Sequence, residues 1–196
     1  MEKDSYIDLF YQKTDEELVR MALKDQDCFL YIIKRYEGKL LSYIVRISGF
    51  SKEDAEDVLQ EVFIKTYVNL NSFDDQLKFS SWIYRITHNE VINSHRRKKA
   101  RPQCVPDLDN DFLGNLASDM KTDKEVDEAY LKKNVGKILG RLKKEYREVL
   151  VLRFWEDKDY KEISDILKKP IGTVATLISR AKKSFQEELE KENVNL

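Results

Sequence analysis

Apolar residues recur at three- and four-residue steps along most of this chain, which is the period of amphipathic helices. Phe29, Ile32, Ile33, Tyr36, Leu40, Tyr43, Ile44 and Ile47 form one such stripe, and Gly49 ends it. Ser51 then stands as a helix N-cap, with Asp54 at the place where a capping box often carries an acid. Ala55, Val58, Leu59, Val62, Phe63, Tyr67 and Leu70 make a second stripe, predicting a helix from Ser51 to Leu70. A polar turn over Asn71–Lys78 leads into a third helix that faces Phe79, Trp82, Ile83 and Ile86 inward. That helix runs into an abrupt basic cluster, His95-Arg96-Arg97-Lys98-Lys99-Ala100-Arg101.

The pattern then breaks. From Pro102 to about Met120 there are two prolines, a glycine and the acids Asp107, Asp109, Asp111 and Asp119, with no sustained period. Residues 101–121 read as an acidic, flexible linker between an N-terminal domain (1–100) and a C-terminal domain (122–196). Thr122-Asp123-Lys124-Glu125 is a capping-box sequence that starts a new helix, with Tyr130, Leu131, Val135, Ile138, Leu139 and Leu142 on its apolar face. A short hydrophobic helix over Tyr146–Trp155 follows, then a pair over Tyr160–Leu167 and Thr173–Glu190 separated by Lys168-Lys169-Pro170-Ile171-Gly172. The fold expected is all-α, two small helical domains in tandem. A linker of about 20 residues can stretch to roughly 70 Å, two turns of B-DNA at about 34 Å each.

Composition narrows the function classes. Only 6 Gly and 3 Pro among 196 residues disfavour a turn-rich β architecture, and the net charge of −1 conceals strong local bias. Cys28 and Cys104 lie far apart with no CxxC pair and no Cys/His spacing suited to zinc, so no metal or cofactor is expected. No apolar run approaches the ~18 residues of a membrane span, and Met1–Phe10 has no signal-peptide hydrophobic region. The expectation is a soluble cytoplasmic protein without membrane insertion. His88 and His95 belong to no nucleophile or metal-ligand constellation, which argues against an enzyme.

Two short helices joined by a tight turn, the second amphipathic and basic, have the layout of a helix-turn-helix. Ile163, Ile166 and Leu167 supply the buried face of the first; Val174, Leu177, Ile178, Ala181, Phe185 and Leu189 supply that of the second. Ala175, Thr176, Ser179, Arg180, Lys182 and Lys183 are left facing outward, and Thr173 reads as the N-cap. A basic helix face is often merely solvated, but the Pro-Ile-Gly-Thr-Val turn favours DNA. The stretch from Tyr160 through Pro170-Ile171-Gly172-Thr173-Val174 to Ser179-Arg180-Ala181 resembles the DNA-reading end of extracytoplasmic-function sigma factors of the bacterial sigma-70 family. The resemblance implies that this helix reads the minus-thirty-five promoter element, through Lys161, Thr173, Ala175, Thr176, Ser179, Arg180, Lys182 and Lys183. Where the family commonly carries basic or polar residues after Gly-Thr-Val, this chain has Ala175-Thr176-Leu177.

The N-terminal half carries two more strings of the same family. Asp54-Ala55-Glu56-Asp57-Val58-Leu59-Gln60-Glu61-Val62-Phe63 resembles its polymerase-binding helix, D-A-E-D-x-x-Q-E-x-F. Such a dense exposed acid face gains stability from a basic partner surface. The resemblance makes Asp54, Asp57, Gln60, Glu61 and Ile64 the polymerase contacts, whereas Phe63 reads as core. Phe79-Ser80-Ser81-Trp82, Asn89 and the pair Arg96-Arg97 resemble the stretch that recognises and helps open the minus-ten element. Arg85, Asn89, Asn93, Arg96 and Arg97 lie at near-helical steps along one face, suited to tracking phosphate, with Asp74, Asp75 and Gln76 in the preceding turn able to hydrogen-bond an unstacked base. Trp82 reads as core rather than as a stacking platform.

Together these strings imply a non-enzymatic sigma factor that binds core RNA polymerase and promoter DNA, is monomeric when free, and is held in check by an anti-sigma factor. The alternative is a helix-turn-helix transcription regulator that is not a polymerase subunit. It would need neither the acidic helix nor the strip from Trp82 to Asn89.

Overall fold

The computed structural model describes residues 12–74, 77–100 and 135–191, and every regular element among them is helical. In the N-terminal half these are α1 (Asp15–Lys24), α2 (Phe29–Ser48), α3 (Lys52–Val68) and α4 (Phe79–Ala100). The C-terminal half has a helical stretch at residues 135–141, then α5 (Lys144–Phe154), α6 (Tyr160–Leu167) and α7 (Ile171–Lys191). The linker and the helix start at Thr122 lie outside the described residues, as do Asp75 and Gln76.

Local signals set most boundaries. Thr14 caps α1 in a reciprocal capping box with Glu17. Gly49 ends α2 in the left-handed region at φ 71°, a conformation that a side chain would strain. The Ser51 hydroxyl accepts from the Asp54 amide and starts α3. Asp159 and Glu162 make a second capping box at the start of α6. One expectation needs correction. Thr173 is not an N-cap: α7 begins at Ile171, because the Val174 amide already donates to the Pro170 carbonyl. The left-handed residue of the α6–α7 turn is Lys168, at φ 52°, while Gly172 is helical and its Cβ position faces open space.

The apolar stripes meet as their spacing predicts. Leu40, Tyr43, Ile44, Ala55, Val58, Val62, Phe79 and Ile83 are buried between α2, α3 and α4. Trp82 is core, stacked at a tilt on Phe79 (5.6 Å between centroids) and Phe73 (5.4 Å). Tyr67 departs from its predicted stripe. It lies 44% exposed, its ring edge-on to Phe29, because the last turn of α3 passes the rim of the core. In the C-terminal half Ile138, Leu139, Val149, Val151, Leu152, Ile163, Ile166, Val174, Ile178 and Ala181 form the corresponding interior.

The two halves pack against each other, α5 on α2 and α6 on α4, so that one buried cluster runs through both. The seam between them is unusually polar for a core. Glu156, in the α5–α6 loop, accepts from Arg46 (3.5 Å) and from the Tyr84 hydroxyl. Lys158 in the same loop donates to Ser80 (3.1 Å) and sits 4.8 Å over the Tyr84 ring. His88 lies 3.4 Å from the Tyr43 hydroxyl and 4.0 Å from Glu148 Oε1. That Glu148 oxygen and Arg147 Nε are buried without a hydrogen-bond partner among the described residues. Each such orphan costs about 1–3 kcal/mol.

Burial drives His88 down to about 4, with Lys144 and Lys169 adding repulsion, so Glu148 does not hold the ring charged at 4.0 Å. Burial also pushes the Glu148 and Glu156 carboxyls up. These two effects oppose each other. A neutral His88 means the unfolded chain takes up a proton below about 6.5 that the packed chain refuses until about 4, so this group removes stability as pH falls through that window. The raised carboxyls restore stability as they protonate in acid. The expected outcome is an NMR midpoint for the His88 ring near 4, and a smaller loss of urea stability between pH 7 and 4.5 in His88→Gln, by at most about 3 kcal/mol. A midpoint near 6.5 would show that the ring is not held in the seam.

Candidate polymerase and nucleic-acid interfaces

Helix α3 buries one face and presents the other. Ala55, Val58, Val62 and Phe63 point into the core, which leaves Asp57, Gln60 and Glu61 exposed together with Ile64 at 57%. Two carboxylates beside an exposed isoleucine make a surface whose repulsion a basic partner would relieve. Asp54 is placed differently from the other three polar positions. It accepts from Ser51 (2.9 Å) and from Lys98 at the far end of α4 (2.5 Å), and although burial raises its carboxyl, these bonds hold it below the ordinary range. It therefore ties α3 to the basic end of α4.

Helix α4 carries the residues that the resemblance assigns to the minus-ten element. Asn89 and Arg96 are exposed, while Arg85 and Asn93 are half-buried. Asn93 and Arg97 turn toward Glu90, a residue that no sequence motif singled out. Glu90 is 1% exposed, accepts from Arg97 at 2.8 Å and is also bridged by Lys65 of α3. Burial raises its carboxyl, but the bonds from Lys65, the charge of Arg97 and a bond from Asn93 outweigh burial and keep it ionised. Lys65, Asn69, Ser72, Trp82, Ile86, Asn89, Glu90 and Asn93 line a groove of about 280 Å³ there. Its walls offer hydrogen-bond donors and acceptors of the kind that read the edge of an unstacked base. Asp74 is exposed at the turn leading into α4. A carboxylate at a helical position between Asn89 and Asn93 was the available signal for Glu90; its burial followed only from packing.

In the helix-turn-helix, α7 exposes Thr173, Thr176, Ser179, Arg180, Lys182 and Lys183, with Ala175 half-buried beside them. The Thr176 hydroxyl donates back to the Gly172 carbonyl at 2.9 Å. Lys182 lies 5.1 Å over the Phe154 ring, which directs it toward α5, whereas Arg180 and Lys183 extend from the open face. Leu177 packs partly against the core, so one of the three positions that depart from the usual pattern after Gly-Thr-Val is a packing position. Lys161 on α6 is exposed and lines a cleft between α4 and α6 with Lys78, Ser81, Arg85, Asp159, Glu162 and Asp165.

Among the described residues no group of His, Cys, Asp and Glu is arranged to hold a metal ion, and no helix is long and apolar enough to cross a membrane.

Comparison with known proteins agrees with this geometry. Residues 32–101 match the family model for Sigma-70 region 2, and residues 132–185 that for Sigma-70, region 4. The ECF RNA polymerase sigma factor SigW of Bacillus subtilis is 34% identical over 84% of this chain and 90% of its own length. A solved complex of CnrH with the cytosolic domain of CnrY superposes with a TM-score of 0.67 at 22% identity, covering 92% of this chain and all of the other. The sigma factor RpoE in complex with the anti-sigma factor NepR from Bartonella quintana superposes at 0.62, with 20% identity over 83% of this chain and 96% of the other. With both regions matched in order and a curated relative aligned nearly end to end, the chain belongs to the extracytoplasmic-function RNA polymerase sigma factors of the sigma-70 family.

Proposed function

We infer that this chain acts in the cytoplasm, without catalysing a reaction itself, as the subunit that brings core RNA polymerase to particular promoters. The exposed face of α3, through Asp57, Gln60, Glu61 and Ile64, docks on a basic polymerase surface, and Asp54 braces that helix. The α4 strip of Arg85, Asn89, Asn93, Arg96 and Arg97, with Asp74, Asp75 and Gln76 before it, reads and opens the minus-ten element. The groove over Glu90 receives the unstacked base. Helix α7 enters the major groove at the minus-thirty-five element, and its later cations meet backbone phosphates. The N-terminal (1–100) and C-terminal (122–196) halves act as separate domains on DNA, with residues 101–121 as the connection between them. An anti-sigma factor restrains the free protein, as the two solved relatives with bound partners suggest by analogy.

One observation carries this reading over the alternative of a free-standing regulator. A helix-turn-helix regulator has no use for an acidic, isoleucine-bearing face on α3, yet that face is exposed here at the far side of the helix from its core.

Purified chain should bind core polymerase and direct initiation in vitro from a subset of genomic promoters. Reversing Asp57 and Glu61 to lysine should weaken that assembly at least tenfold while changing stability within about 0.5 kcal/mol, as surface substitutions do. Normal assembly by the double variant would place the docking face elsewhere. Arg180→Ala with Lys183→Ala should flatten the salt dependence of promoter binding by the holoenzyme, by about 0.9 in log–log slope for each phosphate no longer neutralised. An unchanged slope would remove both residues from the DNA face.

A further inference from the structure

We propose that Glu90 is a positioning residue that sets Lys65 and Arg97 as a two-pronged clamp for a DNA phosphate at the rim of the α3–α4 groove. The inference deepens the promoter-reading role assigned to α4 and rests on it. It adds Lys65 of α3 to the nucleic-acid contacts.

Glu90 lies at the base of the clamp. Its side chain is 1% exposed, Arg97 donates to Oε1 at 2.8 Å, and Lys65 bonds to Oε2. Arg97 stands seven residues further along α4, a rise of about 10 Å. Its side chain therefore runs back along the helix instead of out into solvent. Lys65 arrives from the neighbouring helix, and the last turn of α3 holds its backbone. There Asn69 Nδ2 donates to the Lys65 carbonyl at 2.7 Å, and the Ser72 hydroxyl donates to the Asn69 carbonyl at 2.7 Å. Two long side chains with many free rotamers are gathered on one carboxylate.

Donor counting gives what is left for a ligand. An ammonium has three N–H donors and a guanidinium five, and Glu90 takes one from each. The two side chains remain 43% and 55% exposed. Two cations on one carboxylate also leave a positive charge uncompensated beside the groove. A staple between α3 and α4 would need only one of them, and an apolar pair of similar volume would serve as well. The groove of about 280 Å³ takes Trp82, Ile86, Asn89 and Asn93 into its walls along with Lys65 and Glu90. A nucleotide whose base enters it brings its phosphate to the rim, where both cations stand. Because Glu90 has already ordered them, little further side-chain freedom is lost on binding.

The carboxylate itself repels DNA, which separates the clamp from plain electrostatics. If net charge alone counted, neutralising Glu90 would strengthen DNA binding and steepen its salt dependence. If Glu90 positions the cations, neutralising it does the opposite.

Holoenzyme made from the full-length chain and saturating core polymerase is titrated with two probes. One is fork-junction DNA from a promoter at which that holoenzyme initiates; the other is the same duplex without the single-stranded overhang. E90Q, which keeps shape and removes charge, should bind the fork about tenfold more weakly than wild type. Its log–log salt slope should be flatter by about 0.7, the value for one phosphate on a single strand. Binding of the plain duplex should not change. K65M leaves Glu90 paired with Arg97 and should reproduce both effects, so the clamp is decided even where E90Q loses helix content by circular dichroism. In a K65M/R97M background, E90Q should change fork binding no further. Tighter fork binding by E90Q, an unchanged slope, or K65M that binds as wild type overturns the clamp. So does an equal loss on both probes, the mark of a general structural defect. A wild-type holoenzyme that initiates nowhere or shows no preference for the fork overturns the promoter-reading role together with the clamp. A wild type that prefers the fork while E90Q and K65M match it sinks the clamp alone.

Discussion

The rotation of α4 about its own axis governs what this protein can present to a partner. Phe79, Trp82, Ile83 and Val91 are driven out of water onto α2 and α3, and each fully buried side chain of this kind contributes about 1.5–3 kcal/mol. Once that face is turned inward, every other residue of the helix has a fixed direction. Asn89 and Arg96 are forced outward, Glu90 is forced into a junction with Lys65 and Arg97, and His88 is forced against Tyr43 and the second half of the chain. A different rotation would bury the cations and expose the indole.

Charge is organised by that same packing. Burial of Glu90 is tolerated because Lys65 and Arg97 converge on it, and the ionised carboxylate in turn orders two cations and Asn93 at the rim of the groove. The Lys98–Asp54 pair does the same at the other end, joining the basic terminus of α4 to the start of the acidic helix α3. The surfaces suited to polymerase and to DNA therefore share one rigid unit, and the direction of one constrains the other. The C-terminal half repeats the logic on a smaller scale, with α5 and α6 burying one side of α7 so that Arg180 and Lys183 project from the opposite side.

Two halves held apart would leave apolar helix faces in water. Packing the halves together through α2–α5 and α4–α6 covers those faces behind a polar seam. Its carboxylates and imidazole are held away from their ordinary ionisation by burial.

Much of this was legible in the chain. Residues such as Leu40, Val62, Ile83 and Ile178 announce their burial by helical period alone, and Gly49 and Ser51 mark helix ends by the conformations and hydrogen bonds that only a few residue types supply. The acidic face of α3, the core position of Trp82 and the outward cations of α7 follow from the same local rules. Ambiguous local chemistry misled at two places: Thr173, three residues after Pro170, looked like a cap, and Tyr67 looked like core. What no local rule contains is the meeting of Glu156 with Arg46 and Tyr84, of Glu148 with His88, or of Glu90 with Lys65. Those pairings join residues 25 to 110 positions apart. A polar side chain has no period that points to its partner, so only the packed helices decide which charges face one another.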